Sequence, residues 1–292
     1  MSSQPSALAE PAGTADQATY LGRLGARSAA VGTTLCVGID PDPEALPAGF
    51  SRDVSGIERF AGLILEAALS RAAAVKFNLA FYEAFGSGGI AALERLRARV
   101  PANVPVIADA KRADIGSTAA RQAVAIFDAL GADAVTLNPY LGRDALEPFL
   151  AHHDRFAYVL CRTSNPGAAE FQGLDVDGQP LYLAVARRVA GWGGEGAPVG
   201  LVVGATAPAE LAQVRAAAPE LPFLVPGVGA QGGDIDAVLA DGPTAAGGGA
   251  RARGGALLVN VSRGISAAAA DGADPVRGMV AAVDHWAGVL RC

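Results

Sequence analysis

Residues 104–118 read Val104-Pro-Val-Ile-Ala-Asp109-Ala-Lys111-Arg-Ala-Asp114-Ile115-Gly-Ser-Thr118. A short Val/Ile-rich run ends in alternating charges, and Ile-Gly-Ser-Thr then opens a helical pattern that continues to Leu130. The run has the length and composition of a buried strand, and Ser117 or Thr118 suits the first turn of the helix that follows. This is one βα unit. Seven further apolar runs, at 35–40, 74–80, 134–140, 156–163, 199–205, 222–228 and 256–261, complete a set whose members start about 32 residues apart. Helical spacing lies between them, as in Ile57, Phe60, Ile64, Ala67, Ala68 and Arg71, or from Leu181 to Val189. Strands alternating with helices imply parallel pairing. Eight units of this size predict an α/β fold, a single (β/α)8 TIM barrel with an N-terminal helix over residues 16–30. An open dinucleotide-binding sheet would carry a Gly-rich turn after its first strand. Here that strand runs into Gly38-Ile-Asp40-Pro, which is not G-x-G-x-x-G.

The 292 residues fit one such barrel with short additions. Residues 1–15 read as a flexible N-terminal tail, and 16–292 as the barrel domain. Residues 242–255 (GPTAAGGGARARGG) read as a flexible Gly-rich excursion before the eighth strand. Apolar residues make up 51% of the chain, ample for a core. Lys and Arg number 23 against 29 Asp and Glu, a net charge of −6. That balance argues against nucleic-acid or anionic-membrane partners, and leaves room for a small anionic substrate held by a few local cations. No apolar run is long enough to span a membrane. MSSQPSALAEPAG lacks the basic and apolar regions of a signal peptide, so none is expected. Cys36, Cys161 and Cys292 are too few and too scattered for a disulfide framework or a zinc cluster, and a cytoplasmic location is expected. His152 and His153 are adjacent and so do not share a helical face, and His285 stands apart. No metal site is expected.

A barrel places its chemistry at the C-terminal ends of its strands. The polar residues there are Asp40, Lys76 with Asn78, Asp109 to Asp114, Asn138 with Tyr140, Ser164, Pro226 with Gln231, and Ser262-Arg263-Gly264. Side chains alternate along a strand, so Asp109 and Lys111 share a face. With Lys76 on the neighbouring strand and Asp114 just beyond, they would form an alternating Lys–Asp–Lys–Asp row. Flanking carboxylates favour a charged, partly buried Lys111. An ammonium there is a general acid, and it stabilises negative charge developing on a substrate carbon. Two readings of the row stand: an ion-pair network at a barrel rim, or an active site.

Asp109-Ala-Lys111-Arg-Ala-Asp114-Ile-Gly-Ser-Thr118 resembles the signature of the orotidine 5′-phosphate decarboxylase family, especially its bacterial branch. Leu35-Cys-Val-Gly-Ile-Asp40-Pro, Val75-Lys76-Phe-Asn78, Val135-Thr-Leu-Asn138-Pro-Tyr140, Thr163-Ser164-Asn165-Pro, Val225-Pro226 through Gln231-Gly-Gly, and Asn260-Val-Ser262-Arg263-Gly-Ile resemble the same family, in order over about residues 33–266. The resemblance implies a cofactor-free homodimer that converts orotidine 5′-monophosphate to UMP and CO2. It implies Lys111 as the donor of a proton to C6, with Asp109 against the departing carboxylate. Asp114 and Thr118 would enter from the partner subunit, and Ile115 would contact the substrate. Lys76 and Asp40 would hold ribose hydroxyls, and Ser164 the pyrimidine. Pro226 would open a closing loop. Gln231, Arg263 and the backbone near Gly264 would bind phosphate. Two alternatives share the barrel: a magnesium-dependent sugar-phosphate decarboxylase or aldolase, and a non-catalytic phosphate-ligand-binding barrel.

Overall fold

The computed structural model describes residues 18–229, 231–244, 256–270 and 274–292. The tail at 1–15 and most of the 242–255 excursion lie outside the described residues. Eight parallel strands close into a barrel: β1 (Leu35–Ile39), β2 (Ala74–Asn78), β3 (Val106–Arg112), β4 (Ala134–Leu137), β5 (Phe156–Arg162), β6 (Val199–Val203), β7 (Phe223–Pro226) and β8 (Leu257–Val261). Each pairs with its sequence neighbours, and β8 pairs with β1. The expected strands are all present; most are trimmed at one or both ends, while β3 starts two residues later than the expected 104–110 and runs two residues further, to Arg112. Asn138, for example, leaves the ladder and uses its side chain to cap the turn Pro139–Leu141, accepting from Tyr140 N–H at 3.0 Å.

The helices that shape the barrel are α1 (Tyr20–Val31), α2 (Val54–Ala68), α3 (Gly86–Ala98), α4 (Gly116–Ala123), α5 (Leu181–Gly194), α6 (Pro208–Ala217), α7 (Ile235–Asp241) and α8 (Pro275–Val289). Helix α2 shows why they form. Asp53 caps its start by accepting from Gly56 N–H at 2.9 Å, and Ile57, Phe60, Ala61, Ile64, Leu65 and Ala68 recur on one buried face. Helix α4 runs on into a wider π-helical segment, Val124–Ala129. His152 and His153 follow the short helical turn Glu147–Leu150 instead of lying within a helix, and His152 packs against Phe127.

The period of two along each strand divides the apolar residues between two cores. Val37, Ile39, Val75, Phe77, Val106, Val135 and Val259 point outward into the layer between strands and helices. Cys36, Ala74, Ile107, Ala134, Tyr158, Val202, Leu224 and Leu258 point inward and fill the lower half of the barrel. Tyr20 and Leu24 of α1 join that inner layer, so the first helix closes the floor. Tyr20 stacks on Phe156 with ring centroids 5.0 Å apart, and its hydroxyl lies 3.2 Å from that of Tyr158. Cys36 and Cys161 are buried packing residues, and burial pushes each thiol up to about 12.

Candidate active site

Above the apolar floor the interior turns polar. At the C-terminal ends of the strands lies a cavity of ≈ 400 Å³, lined by Asp40, Lys76, Asn78 and Asp109 on one side. Pro226, Gln231, Asn260, Ser262 and Arg263 line the other. The register brings the first group together: Gly38 is level with Lys76 and Asn78 with Asp109. Asp40 is tied to β2 by accepting the Asn78 N–H at 3.3 Å.

Asp109 is the hub. Its Oδ2 accepts from Lys76 Nζ at 2.7 Å, and its Oδ1 accepts from Lys111 Nζ at 2.5 Å. Burial acts to raise the Asp109 pKa, but the two ammonium charges and their hydrogen bonds outweigh it and hold the carboxyl far below the usual carboxylate range. Burial likewise acts to lower the Lys76 pKa, and the charges of Asp40 and Asp109 outweigh it, so Lys76 stays well above the ordinary lysine value. The side-chain exposures are 5% for Lys76, 12% for Asp109 and 49% for Lys111. This corrects the expectation that Lys111 is itself partly buried. Lys76 is the sequestered ammonium, whereas Lys111 reaches in from the rim.

Lys111 also arrives by a different route from simple strand alternation. Its φ is +48°, a left-handed conformation unusual for a residue with a Cβ. The β3–β4 register shifts here: Ala108 faces Val135 and Arg112 faces Leu137. Thr136, inward-facing and 2% exposed, fills the irregularity by accepting the Lys111 N–H at 3.0 Å and donating to Asp109 Oδ1 at 2.9 Å. Thr136 carries no signal in the sequence, because a threonine between Val135 and Leu137 is an ordinary strand residue. Arg112 points away and pairs with Glu83.

Asn260 and Ser262 stand at the end of the eighth strand in the sequence but carry no role there. Asn260 Oδ1 and Ser262 Oγ are buried beside the cavity and make no hydrogen bond within the described chain. Gly38 makes room for Ser262: a Cβ there would stand 2.7 Å from Ser262 Cβ and 3.2 Å from Asp40 Oδ2. Arg263 begins the helical turn Arg263–Ser266 and is exposed, and Gly264 follows it behind the cavity wall, near Trp286. Gly227, with φ +102°, turns the chain after Pro226 so that Gln231 Oε1 folds back over it. Ser164 sits beside Gly204 and Gly227, outside the residues that line the cavity. Asp114, Ile115 and Thr118 are not brought to this chain's own cavity. Asp114 caps its own loop by accepting the Ile115 N–H at 2.8 Å, Ile115 is 63% exposed, and Thr118 lines a separate groove beside Arg112 and Arg121.

A charged row at the strand ends, with a guanidinium and an amide beyond the seventh and eighth strands, is the layout of a (β/α)8-barrel site open to a small anionic ligand. Known proteins narrow the class. The sequence profile of the family described as "Orotidine 5'-phosphate decarboxylase / HUMPS family" matches residues 33–277. A Herpetosiphon aurantiacus protein named orotidine 5'-phosphate decarboxylase is 50% identical over 234 residues, 80% of this chain and 84% of its own length. A Thermomicrobium roseum protein of the same name is 51% identical over 233 residues, 79% of this chain and 80% of its own. The solved Leishmania donovani OMP decarboxylase superposes with a TM-score of 0.77 at 39% identity, covering 93% of this chain and 98% of that one. The chain belongs to the orotidine 5′-phosphate decarboxylase / HUMPS family.

Proposed function

We propose that this chain decarboxylates orotidine 5′-monophosphate to UMP and CO2, a step of pyrimidine biosynthesis, without a cofactor. The observation that carries the reading is Asp109, held anionic between two ammonium groups at one end of a cavity whose other end carries Gln231 and Arg263. The names of relatives about half identical to this chain point the same way.

The chemistry follows from the charges. Arg263, Gln231 and backbone N–H groups near Gly264 hold the phosphate, Asp40 and Lys76 the ribose hydroxyls, and Ser164 the pyrimidine, with Pro226 at the root of the loop that closes over the ligand. The substrate carboxylate then lies against Asp109, and this repulsion ends when the carboxylate leaves as neutral CO2. The C6–carboxylate bond breaks and its electron pair stays on C6. The Lys111 ammonium stabilises that charge and then gives C6 a proton, which it regains from solvent.

Asp114, Thr118 and Ile115 act across a homodimer interface. Ile115, Tyr140, Leu141, Phe171 and Leu174 are exposed large apolar residues on the loops after the adjacent strands β3, β4 and β5, a surface that a second copy would cover. Asp114 stands on the same loop as Ile115, and Thr118 lies in the first turn of α4 that follows it. No described helix is long and apolar enough to cross a membrane, and all three cysteines are free, which suits the cytoplasm.

The test is the ultraviolet change when purified protein meets orotidine 5′-monophosphate in EDTA, beside a Lys111→Ala variant. We expect rapid EDTA-resistant conversion by the wild type and almost none by the variant. A folded wild type that converts nothing overturns the reading in favour of the magnesium-dependent sugar-phosphate branch or a binding-only barrel. A variant that keeps most of its kcat removes Lys111 as proton donor.

A further inference from the structure

We infer that Thr136 is a positioning residue for this reaction: its hydroxyl sets both the backbone of Lys111 and the carboxylate of Asp109. The inference rests on the decarboxylase reading above. Between the pairs Ala108–Val135 and Arg112–Leu137, three residues of β3 (Asp109, Ala110 and Lys111) lie opposite the single residue Thr136 on β4. A bulge of this kind re-aims side chains, and bulges are over-represented next to active sites. Here it turns Lys111 into the left-handed region, which its Cβ disfavours, so something must hold the backbone there.

The hydroxyl of Thr136 does so. It accepts from Lys111 N–H at 3.0 Å and donates to Asp109 Oδ1 at 2.9 Å, and the same Oδ1 accepts from Lys111 Nζ at 2.5 Å. The contacts close a ring from the Lys111 amide, through Thr136 and Asp109, back to the Lys111 ammonium. Their direction is fixed, because an amide N–H only donates and a carboxylate only accepts. At 2% exposure, Thr136 makes its two bonds largely shielded from water. A single hydroxyl therefore links the strand bulge to the two groups placed at the reacting carbon, and Thr136 stands outside the residues that line the cavity.

The test compares Thr136→Ser, which keeps the hydroxyl and loses a methyl, with Thr136→Val, which keeps the shape and loses the hydroxyl. If Thr136 positions, the Ser variant retains kcat within a few-fold. The Val variant loses about 10- to 100-fold in kcat with little change in KM, the size of effect that small misplacements of reacting groups produce. If Thr136 only fills space the order reverses, with Val close to wild type and Ser impaired, and that result overturns the inference. Hydrogen exchange of the Lys111 amide in the ligand-free protein gives a readout without turnover. It should be slow in wild type and Ser and at least about tenfold faster in Val. Equal rates in all three overturn the ring. Should Thr136→Val fail to fold, the Ser variant decides: impaired kcat or an unprotected Lys111 amide refutes the inference, and retention of both supports it. A wild type that does not decarboxylate orotidine 5′-monophosphate refutes the decarboxylase reading, while amide exchange still reads the ring.

Discussion

In the active-site row, the ionisation of Asp109 is bound up with folding. Burial opposes its charge, and Lys76 and Lys111 more than restore it, so its pKa lies lower in the folded chain than the ordinary 3.8. A depressed carboxylate pKa contributes stability that is present above the unfolded value and lost as pH falls through the folded one. Lys76 mirrors this on the alkaline side: burial opposes its charge, Asp40 and Asp109 outweigh that, and its contribution is full below the ordinary 10.5 and lost as pH rises through the higher folded value. Wild type should therefore exceed Asp109→Asn in urea midpoint near neutral pH, and the gap should narrow below about pH 4. A gap unchanged from neutral to acid would mean that Asp109 is not held as an anion by its neighbours. The charged members of this site were legible in the chain because charges at the ends of Val/Ile runs are conspicuous. The roles of Thr136 and Asn260 were not, since an uncharged polar residue inside a strand signals nothing until the register places it. The exposure of Lys111 escaped for a related reason: alternation assumes a regular strand, and its left-handed φ breaks that assumption.

Among the elements, the eight strands could be read directly from their β-branched runs, while their ends could not. The polar residues that close each run leave the ladder to make turns, as Asn138 does, and composition does not mark where that happens. A two-residue hairpin, Asp175–Val176 against Gln179–Pro180, went unread between β5 and α5. Its signal was present: Asp177-Gly178 has φ values of 54° and 78°, the doubly positive turn that Asp-Gly favours. The expected N-terminal helix is real, and the structure adds its task, which is to close the floor through Tyr20 and Leu24. Leu24 is wholly buried, so Leu24→Ala should cost about 2–5 kcal/mol of stability in urea unfolding. It should leave kcat nearly unchanged, since α1 lies at the end of the barrel away from Lys111. A loss well under 1 kcal/mol would show that α1 does not carry the floor.

At the scale of the whole molecule, the loops after β3, β4 and β5 present Ile115, Tyr140 and Phe171 to solvent, while Asp114 and Thr118 stand away from their own cavity. If those loops complete a neighbour's site, two inactive proteins should rescue each other. In a heterodimer of Lys111→Ala with Asp114→Ala, one site carries both lesions and the other neither. Random exchange of subunits should then restore up to about a quarter of wild-type activity. Verified heterodimers that stay inactive would dissolve the shared site.

The floor has its own consequence. With α1 wedged beneath Phe156 and Tyr158, the barrel of the described residues is a well closed at its floor, not a conduit. Nucleotide, solvent and released gas must all pass the same rim, so any loop that shuts over the phosphate also times the exit of what has been made. Arrival and departure share one doorway, and the residues that guard it govern both.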